Sequence, residues 1–221
     1  MSGNPVQLLR ALSALLGYPN AELRAALPEI VEAIREAHVL DAQHKSELIA
    51  LADEIQSGDE LEIESRYVDL FDRGRVTCLN LFEHVHGDGR QRGPAMLELR
   101  ERYLAAGLQP ATGELPDHLP VLLEYMSCCD LAETRDTIGE VAHILRKLGN
   151  ALVQRHSRYA AIPAALLALG GEKGLDVHDP VPPPEDIDRE WEEKPAFAPP
   201  EPAASDWSGA KRPPYSLETP R

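Results

Sequence analysis

The sequence has few cysteines, and none of its apolar runs is long enough to cross a bilayer. The three cysteines are Cys78, Cys128 and Cys129, an odd number with two adjacent members. This usage argues against a disulfide-built secreted fold and predicts free, mostly buried thiols in a reducing compartment. No apolar stretch approaches the ~20 residues that a membrane-spanning helix needs. Residues 1–19 also lack the features of a secretory signal, so we expect a soluble, cytoplasmic protein without membrane insertion.

Basic residues are scarce as well. The chain carries 22 Lys and Arg against 37 Asp and Glu, a formal net charge of -15. Residues 176–221 hold 11 of the acids and 5 of the bases, so the first 175 residues keep 26 acids and 17 bases. Because phosphate recognition needs clustered Lys and Arg, this charge argues against nucleic acid or an anionic membrane as the main partner. Basic peptides and neutral surfaces are the better candidates.

Residues 176–221 have the composition of a disordered or extended, acidic tail. They contain 11 of the 19 prolines and show no helical or alternating apolar pattern. Such a segment buries too little apolar surface to offset the entropy lost on ordering. Both tryptophans, Trp191 and Trp207, lie in it beside acidic residues. They fit either incidental aromatics of a solvated tail or a short docking motif, including one that folds onto the chain's own groove.

The first 175 residues show apolar spacings of three and four almost throughout, the periodicity of α-helices. Asn20, Asp41 and Asp59 are placed to cap three helices, and Pro28 is expected to kink or restart one of them. Alternation typical of a strand appears only ambiguously, near residues 76–81. The pattern predicts an all-α, single compact helical domain over residues 1–175. Its apolar stripes are Val6, Leu9, Leu12 and Leu16; Leu23, Leu27, Ile30 and Ile34; Leu48, Leu51 and Ile55; Leu61, Val68 and Phe71, with Ile63, Tyr67 and Leu70 beside them; Met96, Leu99 and Tyr103; Leu119, Leu122, Leu123 and Met126; and Ile138, Val141, Leu145, Leu148, Leu152 and Tyr159.

Two connections interrupt this helical pattern, a long one at residues 74–93 and a short loop at residues 112–120. The first contains Cys78, His84 and His86, which are candidate metal ligands. A zinc site needs about four ligands at defined spacing, and helical di-iron sites need a repeated Glu-x-x-His motif that is missing here. Structural or solvated histidines are therefore the favoured interpretation.

The sequence carries no recognisable catalytic motif. The glycine-rich run at residues 87–93 lacks the P-loop pattern and follows no predicted strand. No G-x-S-x-G or cysteine–histidine signature is present, and the three cysteines are interpreted as core thiols on apolar helix faces. We therefore predict a protein that is not an enzyme and has no cofactor of its own.

Asp117 lies between Pro116 and Pro120 where a helix is expected to begin. Its carboxylate is predicted to cap that helix, and Glu114, His118, Glu124 and Tyr125 are close in sequence. A rigid acidic corner edged by an aromatic ring also suits the binding of a cationic peptide. Capping and binding are both open for this residue.

Three segments resemble a known family: YVDLF at residues 67–71, LFEHVHG at residues 81–87 and ELPDHLPVLLEY at residues 114–125. They are similar to the NarJ-type nitrate reductase molybdenum cofactor assembly chaperones, within the redox-enzyme maturation proteins that include the TorD and DmsD types. The resemblance covers residues 5–175, with the order and spacing of the segments kept. The ELPDHLP corner is its most specific part.

The resemblance implies an all-helical cytoplasmic chaperone that is absent from the finished enzyme. It would bind the N-terminal peptide of the apo catalytic (alpha) subunit of nitrate reductase and keep it competent for insertion of the molybdenum cofactor. It would also delay membrane anchoring until insertion is complete. Carried onto the matching motifs, and extended to their neighbours, the predicted peptide-binding residues are Tyr67, Leu70, Phe71, Phe82, Glu83, His84, Glu114, Asp117, His118 and Tyr125.

The expected mechanism is capture of a helical peptide in a groove. Apolar client residues would fill a slot lined by Tyr67, Phe71, Phe82 and Tyr125, basic ones would meet Glu83, Glu114 and Asp117, and His118 would make binding depend on pH near neutrality. One alternative is a helical metal-binding or redox accessory protein that uses Cys78, His84 and His86. Another is a scaffold subunit that stays in the finished complex.

Overall fold

A computed structural model describes residues 5–86, 92–109 and 113–175 of the chain, without the side chains of His86 and Arg92. The α-helices of these residues are α1 (Pro5–Leu15), α2 (Ala21–Glu36), α3 (Ala42–Ser57), α4 (Glu60–Tyr67), α5 (Glu83–His86), α6 (Arg92–Ala105), α7 (Leu119–Met126), α8 (Leu131–Gln154) and α9 (Ala161–Gly170). A π-helix (Val68–Asp72) continues α4, and 3₁₀ turns cover Arg75–Thr77 and Arg158–Ala160. The described residues form no β-strand, only an isolated antiparallel bridge between Asn80 and His118.

The all-α fold class is confirmed. The predicted tail at residues 176–221 lies outside the described residues, and the boundary of the domain at residue 175 stays a prediction. None of the described helices has the length and apolar character needed to cross a membrane.

One hydrophobic core joins the helices. α1 packs against α2 and α7, α3 packs against α2 and α9, and α8 packs along α9. Glycine allows the close approach of α8 and α9, because a Cβ at Gly170 would overlap the side chain of Ile138. A Cβ at Gly149 would likewise meet Pro163 on α9 at 3.2 Å. The core therefore depends on small residues as well as on the apolar stripes.

Short-range capping chemistry places three helix starts where the sequence predicts them. The side chains of Asn20, Asp41 and Asp59 accept bonds from the amides three residues later, at 2.9, 2.9 and 3.1 Å. Each bond satisfies one of the free amides at a helix start. Asp130 caps α8 in the same way, through the Glu133 amide at 2.9 Å.

Three local predictions differ from the structure. α2 runs without interruption through Pro28, so the predicted restart is wrong. Leu61 is 76% exposed, because the core-facing side of α4 is the stripe through Ile63 and Tyr67. Tyr159 lies in the 3₁₀ turn after α8 rather than on that helix.

The cysteines also differ from expectation. All three are free thiols, as predicted, but none is fully buried, and Cys128 is exposed. Cys78 follows a 3₁₀ turn, while Cys128 and Cys129 lie in the turn after α7. The interpretation as core thiols on helix faces is wrong because these residues occupy the ends of elements rather than their buried stripes.

Candidate functional site

Backbone bonds tie the predicted Asp-His corner to the loop that precedes α5. The Leu81 amide donates to the Asp117 carbonyl over 3.0 Å, and the Leu119 amide donates to the Leu79 carbonyl over 2.9 Å. The Asp117 carboxylate accepts a further bond from the Phe82 amide at 3.0 Å. Since Asp117 is fully buried, this charge-assisted bond forms away from water, where such bonds are strong.

Asp117 is therefore not the cap of α7. The N-cap residue of α7 is His118, which makes no side-chain capping bond. The carboxylate of Asp117 accepts from the Phe82 amide, 35 residues away in sequence. The capping prediction is wrong because the corner folds onto a loop that supplies the donor.

His84 lies half-buried on α5 beside this corner. The Cys78 carbonyl lies 2.8 Å from Nε2 of His84, and because a carbonyl can only accept, Nε2 carries the proton. The Cys78 sulfur instead accepts from the Asn80 amide at 3.4 Å. Among the described side chains, which exclude that of His86, no three His, Cys, Asp or Glu form a group able to hold a metal ion.

Tyr67, Phe71 and Tyr159 form a layer of packed rings, here called the aromatic layer. The ring centroids of Tyr67 and Phe71 are 4.9 Å apart, and those of Phe71 and Tyr159 are 5.0 Å apart. The Tyr67 hydroxyl donates to the Leu16 carbonyl at 2.7 Å. Tyr18 stands edge-on to Tyr67 at 5.6 Å and is 44% exposed, so it presents an aromatic surface to solvent beside the buried layer.

An open groove runs between α1 and α7 and ends at the aromatic layer. This α1/α7 groove has a volume of about 580 Å³. Its walls are joined by bonds from the Ser13 hydroxyl to the Pro120 carbonyl (3.0 Å) and from Nε of Arg10 to the Ser127 hydroxyl (3.4 Å). Its lining residues are Arg10, Ser13, Ala14, Leu16, Gly17, Tyr18, Tyr67, Leu108, Glu114, His118, Pro120, Glu124, Ser127 and Cys128.

The balance of charge in the groove is acidic. Its lining contains two carboxylates, those of Glu114 and Glu124, and one guanidinium, that of Arg10. At the Tyr18 end, partial desolvation raises the pKa of the phenol, and a hydrogen bond with Glu64 and the charge of Asp72 raise it further. A groove with aromatic walls and excess carboxylates suits a peptide that carries apolar and basic residues.

The structure distributes the predicted peptide-binding residues over several places. Tyr67, Glu114 and His118 line the α1/α7 groove. Phe82 lines a smaller crevice with α6 and α8, and Leu70 lines a cavity between α3 and the π-helix. Phe71, Asp117 and Tyr125 are buried, while Glu83 and His84 are half-buried beside the corner. Of the four rings of the expected slot, Tyr67 and Phe82 therefore line different cavities of the described residues, and Phe71 and Tyr125 are buried. The roles of all these residues in binding stay predictions.

The groove contains residues that the sequence analysis did not assign to a site. Arg10 lies in the middle of α1, Tyr18 lies in the connection after α1, and Cys128 follows α7. Their positions carry no motif, because they become neighbours only when α1 packs against α7. Glu124 has a weak signal, since it follows the ELPDHLP corner on the same helix.

The two half-buried histidines near the corner, His84 and His118, predict a loss of stability in mild acid. Burial lowers the pKa of both His84 and His118 below the usual 6.5. The unfolded chain therefore binds these protons first, so the free energy of unfolding is highest above about pH 6.5 and falls as the pH drops through the folded pKa values. If client binding depends on the protonation of His118, the change in affinity occurs below neutral pH, because burial lowers the pKa of this residue.

Urea unfolding at intervals from neutral pH to mild acid measures this effect. We expect His84→Gln and His118→Gln to flatten the pH dependence, because glutamine carries no proton to gain in this range. The exposed His38→Gln is the matched control and should leave the slope unchanged. Equal slopes in all four proteins would contradict the assignment.

The comparisons with known proteins agree on one family. The model of the family described as nitrate reductase delta subunit matches residues 18–162. The chain is 42% identical to the nitrate reductase molybdenum cofactor assembly chaperone NarJ of Escherichia coli K12 over 158 residues, 72% of this chain and 67% of that protein. It is 32% identical to the probable NarJ chaperone of Bacillus subtilis over 158 residues, 72% of this chain and 85% of that protein.

A solved structure shares the fold. It is a protein from Archaeoglobus fulgidus described provisionally as a redox enzyme maturation protein, with a TM-score of 0.53 and 18% identity, covering 73% of this chain and 90% of that one. At this identity the likeness concerns the fold alone. The family match and the two relatives show that the chain belongs to the nitrate reductase delta subunit family, as a NarJ-type molybdenum cofactor assembly chaperone.

Proposed function

We propose that this chaperone acts in the cytoplasm on the apo catalytic (alpha) subunit of respiratory nitrate reductase. It binds the N-terminal peptide of that subunit and keeps the subunit competent for insertion of the molybdenum cofactor and for assembly. The observation that carries the proposal is the α1/α7 groove, which combines aromatic walls with an excess of carboxylates. The family and the names of the relatives support the choice of client.

The groove suits an amphipathic helix laid along α1 and α7. Leu16, Tyr18 and Tyr67 offer an apolar surface at one end, and Glu114 and Glu124 offer acceptors for basic side chains. Because the bonds from Ser13 to Pro120 and from Arg10 to Ser127 hold the walls together, the groove is largely formed before a client arrives. A preformed groove avoids part of the entropy cost of binding.

The proposed role is binding and release rather than catalysis. The corner at Asp117 supports the groove from behind, because it fixes the start of α7, where His118 and Pro120 lie. Asp117 thus acts through the position of its neighbours, whereas Glu114 and Glu124 contact the client. Replacement of Asp117 should therefore change the free energy of unfolding, whereas replacement of Glu114 or Glu124 should change the affinity for the client.

Calorimetric titration with a synthetic N-terminal peptide of the catalytic subunit tests the groove. We expect saturable one-to-one binding that weakens with salt, because exposed charge pairs are screened. Glu114→Gln combined with Glu124→Gln should weaken binding about tenfold at low salt, as two exposed charge pairs of up to ~1 kcal/mol each would. Thermal unfolding of the double variant should be close to that of the unmodified protein.

The control exchanges two acids outside the groove, Glu22→Gln and Glu29→Gln, both exposed on α2. This variant has the same net charge as the groove variant and should keep its affinity. An equal loss in both would show that only total charge matters, and absence of binding by the folded protein would remove the peptide as client. Stable co-purification with the finished enzyme would favour a permanent scaffold subunit instead.

A further inference from the structure

A second cavity adjoins the aromatic layer at Tyr159. It has a volume of about 350 Å³ and lies between α3, the segment from α4 into the π-helix, and the turn after α8. Its apolar lining includes Leu51, Ile55, Ile63 and Leu70. Cavities of this volume with apolar walls and a few polar groups are typical of small-ligand sites.

The hydroxyl of Tyr159 is a buried donor without a partner in the described part of the chain. Tyr159 is 7% exposed, and its hydroxyl oxygen is buried with no hydrogen bond among those residues. Burial raises the pKa of this phenol, so it stays protonated at neutral pH. A buried hydroxyl without an acceptor is costly, and an acceptor brought by a ligand would remove that cost.

Arg155 supplies a positive charge to the same cavity. Its guanidinium donates to the Ala151 carbonyl at 3.4 Å, and no carboxylate of the described residues lies within ion-pair distance of it. The two acids of the lining are already neutralised: Glu54 pairs with Arg158 at 2.9 Å, and Asp69 pairs with Arg73 at 2.9 Å. The uncompensated charge at this cavity is therefore positive, although the chain as a whole is acidic.

α8 ends beside Arg155 with a residue in the left-handed conformation. His156, which also lines the cavity, has φ 54°, in the left-handed region that non-glycine residues seldom adopt. This is the Schellman arrangement of a helix end, in which the His156 amide donates to the Val153 carbonyl at 2.9 Å and the Ser157 amide donates to the Leu152 carbonyl at 3.0 Å. The turn that follows carries Arg155, His156 and Tyr159 into the lining of the cavity.

We propose that this cavity is a binding site for a small apolar carboxylate, such as an aromatic or short-chain acid. Leu51, Ile55 and Leu70 surround the apolar body, and the carboxylate accepts hydrogen bonds from Arg155 and Tyr159. A carboxylate matches both groups because it only accepts, whereas Arg155 and the Tyr159 hydroxyl both have donors to offer. The site is independent of the peptide groove and of the proposed client.

Methyl NMR of the full chain with labelled isoleucines tests the site, with indole-3-propionate as the probe. We expect saturable shifts of the Ile55 and Ile63 methyl signals at millimolar probe, while Ile138 and Ile144 on α8 stay in place. Tryptamine has the same ring with a positive charge and should bind at least tenfold more weakly, because it meets Arg155 with like charge. Equal binding of the two probes, or shifts that spread over all isoleucines, would overturn the proposal.

Two variants test separately the two proposed donors, the Arg155 guanidinium and the Tyr159 hydroxyl. Arg155→Gln should weaken indole-3-propionate binding about tenfold, as expected when a charge-assisted hydrogen bond is lost, whereas Arg35→Gln, an exposed residue on α2, should not change it. Tyr159→Phe should weaken binding without lowering the midpoint of thermal unfolding. A lower midpoint would show that the hydroxyl has a partner in the protein, and unchanged affinity in both Arg155→Gln and Tyr159→Phe would refute the site.

Discussion

Asp117→Ala should lower the free energy of unfolding by about 3 kcal/mol, the loss typical of a buried charge-assisted bond whose partner is left without an acceptor. The amide of the half-buried Phe82 would lose the carboxylate that accepts its proton at 3.0 Å. The corner that joins the loop to α7 would loosen as a consequence. Urea unfolding followed by far-UV circular dichroism measures the change.

Two controls show whether the carboxylate itself is responsible. Asp117→Asn keeps an oxygen that can accept from the Phe82 amide, so it should recover at least half of the loss. Glu114→Ala removes an exposed acid three residues away and should change the free energy of unfolding by no more than ~0.5 kcal/mol. If Asp117→Ala were as stable as Glu114→Ala, the buried bond would not contribute, and Asp117 would be free for a direct role with the client.

Phe71→Ala should lower the free energy of unfolding by about 3–5 kcal/mol, the range for removal of a buried aromatic ring. Phe71 is 6% exposed, and its ring packs between those of Tyr67 and Tyr159. Its removal leaves a cavity inside the aromatic layer and takes one ring contact from each of Tyr67 and Tyr159. The same unfolding measurement applies, with peptide affinity determined in parallel.

Leu61→Ala is the matched control for this change. Leu61 also lies in the predicted apolar stripe of this segment, but it is 76% exposed, so its loss should stay within ~0.5 kcal/mol. Phe71→Leu should fall between the two because it keeps part of the apolar volume. A loss below ~1 kcal/mol for Phe71→Ala, together with much weaker peptide binding, would show that Phe71 contacts the client instead of stabilising the core.

Local chemistry explains which parts of the fold the sequence predicts well. The caps at Asn20, Asp41 and Asp59 need only an amide three residues away, so their side-chain type is sufficient to place them. Asp117 has the same side chain and a similar setting, but its donor comes from Phe82. A sequence pattern cannot distinguish a local cap from a bond that depends on how a distant loop packs.

The same distinction applies to the candidate site. The motifs predict Glu114 and His118, which do line the α1/α7 groove, but they give no signal for Arg10 or Tyr18 on its other wall. The sequence also gives no signal for the π-helix after α4. This π-helix is seen only in the structure, where the Arg73 amide donates to the Val68 carbonyl at 3.1 Å. The sequence identifies the chemistry of one wall, and tertiary packing assembles the groove.

The corner at Asp117 borders two different cavities. On one face, His118 and Pro120 belong to the α1/α7 groove; on the other, Leu81 and Phe82 belong to the crevice beside α6 and α8. Because hydrogen bonds fasten these segments to each other, we expect a displacement of α7 at this corner to displace Leu81 and Phe82 as well, in the crevice beside α6.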